Sequence, residues 1–364
     1  MAKINVLMVG NNPSVKGGIS SVMSQLLAHE WSADSINMKF IPTYIEANSI
    51  IKMAYFIVAY IKILGIMQKE RPDLVHIHMS YKGSFFRKYA IHKLCKKNNV
   101  PDIIHLHGSE FEKWYKSCNK KKQEKIRKLM RECAAFIVLG KRWKNVIQRI
   151  EPKTKTYIIH NSVHIPTEIV KWRKPFNILF MGILIQRKGL KDLLYAFSKM
   201  IHKANIRDNE INLIIAGSGP QKFDLKELAD KLEISSYVKF IGWVSGDEKE
   251  KLFKNCQILV LPSYNEGLPI SILEAISFGM PIVATNVGDV SSALWDKENG
   301  FIIEPGNIDQ LEISMLKLFQ DKLMYRRMSR KSKKIAMYDF SDNIFFQKIK
   351  NCYYSVLEST LKKS

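Results

Sequence analysis

The stretch NEGLPISILEAISFGMPIVAT, Asn265–Thr285, places two carboxylates, Glu266 and Glu274, in a segment that is otherwise largely apolar. The run QILVLPS before it is typical of a buried strand. The run PISILEAISFG predicts a helix, because Pro269 suits a first helical turn and Gly279 suits a helix end. The sequence therefore predicts Glu266 in a strand-to-helix loop and Glu274 on the helix.

This loop combines two kinds of polar group. The start of the predicted helix offers backbone N–H groups from Leu268, Ile270 and Ser271, which favour an anion such as a diphosphate. Gly267 lets the backbone approach a ligand closely, and the carboxylate of Glu266 accepts hydrogen bonds from hydroxyls. Hydroxyl acceptors beside phosphate donors are what a nucleotide sugar requires.

The rest of the chain repeats the alternation of strand and helix. The apolar runs that predict strands include INVLMVG, DLVHIHM, DIIHLHG, AAFIVLG and TYIIHNSV, and then NILFMG, NLIIAGSG, VKFIGWV and PIVAT. Such alternation is typical of βαβ units with a parallel sheet. We expect an α/β fold with two Rossmann-like domains facing a cleft: residues 1–170, residues 171–340 after a basic linker, and a C-terminal helix at 341–364 that packs back on the first domain.

The 364 residues hold 57 Lys and Arg against 34 Asp and Glu. Up to Lys171 there are 29 basic and 12 acidic residues, so the excess lies in the first half. A basic half indicates a polyanionic partner, such as nucleic acid, an anionic membrane or a phosphorylated small molecule. The stretch Lys113–Arg131 carries nine basic residues against Glu124. It is either a solvated helix face or, as we favour, a surface that docks on anionic lipid.

The apolar run Ile50–Met67 is interrupted by Lys52 and Lys62. It predicts a partly buried helix or an interfacial helix with snorkelling lysines rather than a membrane span. Five cysteines without a C-x-x-C pair favour a reduced, intracellular protein. The N-terminus MAKINVLMVG does not have the pattern of a signal peptide.

Several motifs, in order along nearly the whole chain, make the sequence resemble the GT-B glycosyltransferases, specifically the large retaining family 4 that builds capsules, O-antigens and related glycans. The matching stretches are VKGGIS, HIHMSYKGSFFRK, IIHLHGSEF, MGILIQRKGLKDLLYAF, IAGSGPQ, FIGWVS, NEGLPISILEA and GMPIVATNVGDV. The resemblance implies an acceptor- and membrane-facing first domain and a second domain that binds the nucleotide sugar.

The resemblance also implies roles for single residues. Glu266 would hold the hydroxyls of the donor sugar, Glu274 the ribose, and Lys188 the diphosphate, while His107 would lie beside the reacting sugar. The other residues expected at the donor are Gly18, Arg187, Gly217, Gly242, Gly267, Leu268 and Ile270. Those expected at the acceptor, a phosphate or the membrane are Lys82, Arg87, Lys88, Lys120, Lys121 and Lys122.

One position departs from the family. An arginine often follows the glycine of MG, but Ile183 stands there, so the diphosphate loses one expected cation. Arg187 is a candidate to replace it, although it is adjacent to Lys188 and could point elsewhere.

The sequence has no H-E-x-x-H, no paired Cys and His spacing and no D-x-D, so we expect no metal and no cofactor. The GSGP at Gly217–Pro220 does not complete G-x-G-x-x-G, which disfavours a dehydrogenase. A GT-B sugar-nucleotide epimerase would not need the basic half. A nucleic-acid-binding protein is permitted by the charge, but no recognised motif supports it.

We therefore expect a retaining, metal-independent hexosyltransferase. Its partners would be a nucleotide sugar, a UDP-sugar first and GDP-mannose next, and a glycan acceptor linked to polyprenyl diphosphate. It would act in bacterial surface polysaccharide synthesis, peripherally at the inner face of the cell membrane, and would not bind nucleic acid.

Overall fold

The computed structural model describes residues 3–15, 18–108 and 110–361. Lys16 and Gly17 of the first glycine loop, and Ser109 of the HLHGSEF motif, lie outside the described residues. The chain divides into two compact units, Met1–Asn161 with Phe345–Ser364, and Ser162–Ile344. Each unit contains one six-stranded sheet, and all strand pairs are parallel. The predicted α/β class with two Rossmann-like sheets is confirmed.

The sheet of the first unit has the strand order β2-β1-β3-β4-β5-β6. Its strands are β1 (Ile4–Gly10), β2 (Ile36–Pro42), β3 (Leu74–Met79), β4 (Asp102–Leu106), β5 (Ala135–Val138) and β6 (Thr156–Ile158). The helices are α1 (Gly18–Ala28), α2 (Ser49–Lys69), α3 (Gly83–Lys97), α4 (Phe111–Ser117), α5 (Lys120–Glu132) and α6 (Lys141–Ile150). Every residue of β3, β4 and β5 is buried, as expected for parallel strands covered by helices on both faces.

The sheet of the second unit has the order β12-β11-β10-β7-β8-β9. Its strands are β7 (Phe176–Met181), β8 (Ile211–Ala216), β9 (Val238–Gly242), β10 (Ile258–Leu261), β11 (Ile282–Thr285) and β12 (Gly300–Ile303). The helices are α7 (Leu190–Lys203), α8 (Lys222–Lys231), α9 (Gly246–Asn255), α10 (Ile270–Ser277), α11 (Ile308–Gln320) and α12 (Lys322–Asp339). The strand order reverses between β7 and β10, and ligands of such sheets bind at the strand ends beside this switch point.

The last helix, α13 (Asp342–Leu361), belongs to the first unit from Phe345 onward. The ring of Phe346 stacks on that of His29 with centroids 3.8 Å apart, and Lys350 Nζ lies 2.7 Å from Asp34 Oδ1. Tyr353 is fully buried and contacts β3 through its hydroxyl. These contacts show the C-terminal helix packing on the N-terminal unit, as expected.

Candidate functional site

Two loops meet at the switch point of the second sheet. One leaves β7 and carries Lys188 in a short 3-10 turn, Gln186–Lys188; the other leaves β10 and carries Glu266 before α10. Lys188 Nζ lies 2.5 Å from Glu266 Oε1, and the two side chains are only 13% and 8% exposed. Both residues were expected at the donor, and the structure brings them together as a largely buried ion pair at the carboxyl ends of the strands.

Gly189 holds these two loops against each other. Its φ is +70°, and a Cβ at this position would lie 2.0 Å from the carbonyl oxygen of Pro262. Any other residue would force the loops apart, because the obstacle is backbone. The backbone N–H of Tyr264 also donates to the Arg187 carbonyl at 2.8 Å. The position of Lys188 relative to Glu266 is therefore fixed by main-chain packing.

Arg187 is hydrogen-bonded to the loop that carries Glu266, which we call the acidic loop. Its Nη1 donates to the carbonyl oxygen of Asn265 at 2.9 Å, immediately before Glu266. Ile183, the residue that stands where the family often has arginine, is 42% exposed. The Arg187 guanidinium consequently brings a positive charge to the same loop, although it reaches this loop from a different backbone position.

The helix after the acidic loop begins one residue later than the sequence suggested. Pro269 is extended, with ψ of 125°, and caps α10, which starts at Ile270. Leu268 therefore lies before the helix and is buried, so its N–H is not part of the helix N-terminus, and this part of the prediction is wrong. Ile270 and Ser271 do occupy the first helical turn, where backbone N–H groups have no partner within the helix.

Glu274 lies on α10, as predicted, and forms an ion pair with Lys249 of α9. Burial raises the pKa of the Glu274 carboxyl, and the ammonium group of Lys249 partly opposes that rise. Lys249 was not among the residues predicted from the sequence. Its only signal was a lysine in the helix that follows the FIGWVS motif, and pairing with Glu274 requires the tertiary structure.

Two predicted glycines contact each other at the ends of neighbouring strands. The N–H of Gly217, just after β8, donates to the carbonyl oxygen of Gly242, the last residue of β9, at 2.7 Å. A Cβ on Gly217 would lie 1.8 Å from the carbonyl oxygen of Gly182. The backbone is thus tightly packed where the loops after β7, β8 and β9 approach one another.

A cavity of about 340 Å³ lies beside the Lys188 loop in the second unit. Its lining includes the hydroxyl-bearing Tyr264, whose OH donates to Asp192 Oδ2 at 2.8 Å. The lining residues are Gln186, Arg187, Gly189, Lys191, Asp192, Gln221 and Tyr264. The cavity therefore offers cationic, amide and hydroxyl groups next to the ion pair.

In the first unit, His107 directly follows β4 and is partly buried. Its Nε2 lies 2.8 Å from Nδ1 of His78 on β3, and its ring stacks on that of His105 with centroids 4.2 Å apart. His76 completes the group, with Nδ1 2.7 Å from the Tyr353 hydroxyl and Nε2 3.3 Å from His105 Nδ1. The contacts among His76, His78, His105 and His107 were not predicted from the sequence; we call these four residues the histidine cluster.

Burial lowers the pKa of every ring in the histidine cluster. The pKa of His76 falls to about 3, and those of His78 and His105 fall well below their ordinary values. The pKa of His107 is lowered by the same cause. All four rings are therefore neutral at physiological pH.

Ligand nitrogens of His76, His78 and His105 lie within 4.8 Å of one another, which is a geometry that could hold a metal ion. Lys88, fully buried nearby, opposes this interpretation, because its charge already disfavours a positive charge on His78. A divalent cation among these residues would add positive charge to a fully buried site, which is costly.

The remaining predicted residues of the first unit have different environments. Gly18 is exposed and opens α1. Lys82 is exposed, with Nζ 5.8 Å from the centre of the Tyr81 ring. The guanidinium of Arg87 lies 4.9 Å from the centre of the Tyr44 ring, and partial burial lowers its pKa.

Lys88 does not fit a membrane surface. The side chain is fully buried on α3, and its Nζ donates to the hydroxyl of Thr43, which in turn donates to the Gly10 carbonyl at 2.8 Å. Burial holds the pKa of Lys88 well below its ordinary value. Of the three contacts expected for Lys88, with the acceptor, a phosphate or the membrane, the membrane contact is wrong, because α3 places this residue toward the sheet rather than toward solvent.

Lys120, Lys121 and Lys122 are exposed in the first turn of α5, which contains no acidic residue. The helix packs on the rest of the unit through Ile126, Leu129 and Met130, which are buried one turn or more after the lysines. Positive charge at a helix N-terminus opposes the helix dipole and costs about 0.3–1 kcal/mol per residue. This unfavourable placement leaves three lysines available to an external anion.

The predicted helix at Ile50–Met67 is α2, and it exposes an apolar face. Its buried residues are confined to Ala59, Ile63, Ile66 and Met67. The exposed apolar residues are Ile50, Ile51, Met53, Ile57, Val58 and Ile61, with exposed fractions from 49% to 81%. By length and composition α2 could cross a membrane, and 22% of its most apolar window is buried in the protein.

Comparison with known families covers most of the chain. The family described as "Glycosyltransferase Family 4" matches residues 37–165, and "Glycosyl transferases group 1" matches residues 165–335. The chain is 25% identical over 343 residues to the UDP-Gal:alpha-D-GlcNAc-diphosphoundecaprenol alpha-1,3-galactosyltransferase of Escherichia coli, with 89% of this chain and 85% of the relative covered.

Solved structures share the fold of the whole chain. Sucrose-phosphate synthase from Thermosynechococcus elongatus superposes with a TM-score of 0.80 at 14% identity, covering 98% of this chain and 100% of the other. Anabaena HepE in complex with UDP and glucose superposes with a TM-score of 0.75 at 15% identity, covering 97% and 100%. At such identities the likeness concerns the fold.

Proposed function

Because this chain belongs to family 4 of the GT-B glycosyltransferases, we propose that it transfers a hexose-type sugar from a UDP-sugar to a glycan acceptor linked to polyprenyl diphosphate. The transfer would retain the configuration of the donor sugar. The observation that carries this proposal is the Lys188–Glu266 pair at the switch point of the second sheet. A cation and a carboxylate fixed side by side match the diphosphate and the sugar hydroxyls of one donor.

Lys188 would stabilise the leaving diphosphate. Negative charge develops on the leaving oxygen as the glycosidic bond breaks, and a fixed ammonium group stabilises that charge without reorganisation. The Ile270 and Ser271 N–H groups at the start of α10 would add donors to the same anion. Charge neutralisation by these groups makes the proposed reaction independent of a metal ion and of any cofactor.

Glu266 would accept hydrogen bonds from the sugar hydroxyls. Before the donor binds, its carboxylate neutralises Lys188 at 2.5 Å. When the donor binds, its diphosphate would replace Glu266 as the partner of the Lys188 ammonium group. The Glu266 carboxylate could then bind the sugar. The empty site therefore avoids an uncompensated buried charge, which would be costly.

Glu274 would bind the ribose, with Lys249 as its resting partner. Ribose hydroxyls keep the same contacts in the ground and transition states, so this residue would contribute to affinity more than to rate. Arg187, attached to Asn265, would supply the cation missing at Ile183.

A UDP-sugar is favoured as the donor by two of the similar proteins. The E. coli relative is named as a UDP-galactose-dependent transferase acting on a diphosphoundecaprenol acceptor, and the HepE structure contains UDP. A polyprenyl-linked acceptor would place the enzyme in the synthesis of a bacterial surface polysaccharide such as a capsule or O-antigen. A GDP-mannose donor is the alternative that a donor panel would distinguish.

We further propose that the first unit docks peripherally on the inner face of the cell membrane. Three exposed lysines at the start of α5 suit anionic lipid headgroups. The exposed apolar residues of α2 suit shallow insertion at the acyl boundary. Both surfaces belong to the unit that carries most of the excess charge of the chain.

The test is a thermal-shift panel of UDP- and GDP-sugars, followed by turnover with polyprenyl-diphosphate-linked sugars. We expect one UDP-sugar to raise Tm and to support transfer, with an unchanged rate in EDTA. The configuration of the product at the anomeric carbon, read by NMR, should equal that of the donor. An inverted product, or transfer abolished by EDTA, would contradict the proposed mechanism.

A further inference from the structure

The histidine cluster arises from two adjacent strands. His76 and His78 alternate along β3 and therefore lie on one face of the sheet, while His105 and His107 alternate at the end of β4. In the register of the two strands, His78 lies opposite His105. His107 is thereby placed next to His78, with Nε2 2.8 Å from Nδ1.

One of these two nitrogens must donate to the other. A neutral imidazole carries one N–H and one lone pair, and burial keeps both rings neutral. If His107 donated from Nε2, His78 would carry its own proton on its Nε2. That atom is buried without a hydrogen-bond partner among the residues described, and an orphaned buried N–H is rare in folded proteins.

Donation from His78 to His107 avoids an unpaired buried N–H. With its proton on Nδ1, His78 donates to His107 Nε2, and His78 Nε2, the atom without a partner, is an acceptor rather than a donor. His107 must then carry its own proton on Nδ1. Burial, and to a lesser extent Lys88, lowers the pKa of His78, so the ring is neutral in either arrangement.

We propose that His78 is a positioning residue that holds His107 as its Nδ1–H tautomer, so that His107 offers the substrate a neutral hydrogen-bond donor. The inference rests on the proposed function and on the role beside the reacting sugar that the family resemblance implies for His107. A donor of this kind binds a sugar oxygen and does not act as a base. His78 itself contacts His107 and not the sugar.

Three variants separate positioning from general packing. His78→Asn keeps a side-chain amide at the same number of bonds from Cα as Nδ1, so it retains a donor toward His107. His78→Leu removes the donor and keeps an apolar volume. His76→Leu is the matched control, because His76 is equally buried on the same strand but bonds to Tyr353 and His105.

The experiment is 15N NMR of the full chain labelled at histidine, with the His107 signals assigned by their loss in His107→Asn. In wild type, His78→Asn and His76→Leu, we expect His107 to be protonated at Nδ1 and unprotonated at Nε2. His78→Leu should give a mixture of tautomers. A wild-type His107 protonated at Nε2 would overturn the inference even if a variant failed to fold.

Turnover provides the second readout. His78→Leu should lower kcat at least about ten-fold, the effect of about 1.4 kcal/mol on the barrier, with little change in donor KM, and His78→Asn should restore most of it. Equal loss in His78→Leu and His76→Leu would indicate a structural role and overturn the proposal. If wild type transfers no sugar, the proposed function fails, whereas the tautomer measurement still decides the role of His78.

Discussion

Mild acid should destabilise the first unit through its histidine cluster. In the unfolded chain His76 takes up a proton near its ordinary pKa of 6.5, whereas in the folded protein its pKa is about 3. Between these values the unfolded state binds more protons, so folding stability is complete above the higher value and falls as the pH drops through the window. If the ring stays neutral in the folded protein, the free energy of unfolding falls by about 2 kcal/mol between about pH 7 and pH 5.

The pKa values of the other three rings are lowered in the same direction. The pH-dependent loss of folding stability should therefore be larger for the whole cluster than for His76 alone. The carboxyls of the buried Asp102 and the partly buried Glu274 have raised pKa values. They act in the opposite sense, because a folded state that holds the proton more tightly gains stability as the pH falls. The contribution of His76 must therefore be measured as a difference between wild type and a variant.

Hydrogen exchange of peptides from β3 and β4 gives a local free energy of opening, which suits a chain of two units. Between about pH 7 and pH 5, the free energy of opening should fall by about 2 kcal/mol more in wild type than in His76→Phe. The phenylalanine cannot titrate at this position. The loss of the hydrogen bonds to Tyr353 and His105 in the variant affects both pH values alike and cancels. Equal losses in the two proteins would refute the assignment of a strongly lowered pKa to His76.

Three further predictions concern the two units. Lys188→Ala should lower kcat/KM, measured by UDP release, by an amount that corresponds to about 2–4 kcal/mol in the activation barrier. A loss under five-fold would show that Lys188 does not stabilise the transition state. Glu274→Ala should raise donor KM with kcat nearly unchanged, and a selective loss of kcat would contradict a ribose contact. Replacing Lys120, Lys121 and Lys122 with Gln should weaken flotation with anionic vesicles by ~1 kcal/mol per lysine at low salt and leave transfer to a soluble acceptor intact; salt-independent binding would point to α2 instead.

Much of the fold could be predicted from local sequence. Buried parallel strands appear as continuous apolar runs, and glycine and proline mark their ends. The strand, loop and helix that the sequence around Asn265–Thr285 predicts are therefore all present in the fold. The residues of the Lys188–Glu266 pair were identified by motif. Their contact, however, depends on β7 and β10 being neighbours, which local patterns do not encode.

The errors and omissions also have physical causes. Lys88 belongs to a strongly basic half, and net charge does not reveal which lysine points toward the sheet. His78 and His107 come from different strands, so their contact depends on the register of β3 and β4. Leu268 was placed one step too far into the helix, because the extended conformation of Pro269 sets the start of α10.

Glu266, which pairs with Lys188 before the donor arrives, should bind the donor sugar during transfer. The most direct test compares wild type with Glu266→Gln in the transfer of radiolabelled sugar from UDP to a polyprenyl-diphosphate-linked acceptor, both at saturating donor. The substitution keeps the shape of the side chain and removes the charge that strengthens its hydrogen bonds. We expect Glu266→Gln to fold normally and to lose most of its kcat, whereas a near-wild-type kcat in a folded Glu266→Gln protein would contradict the account.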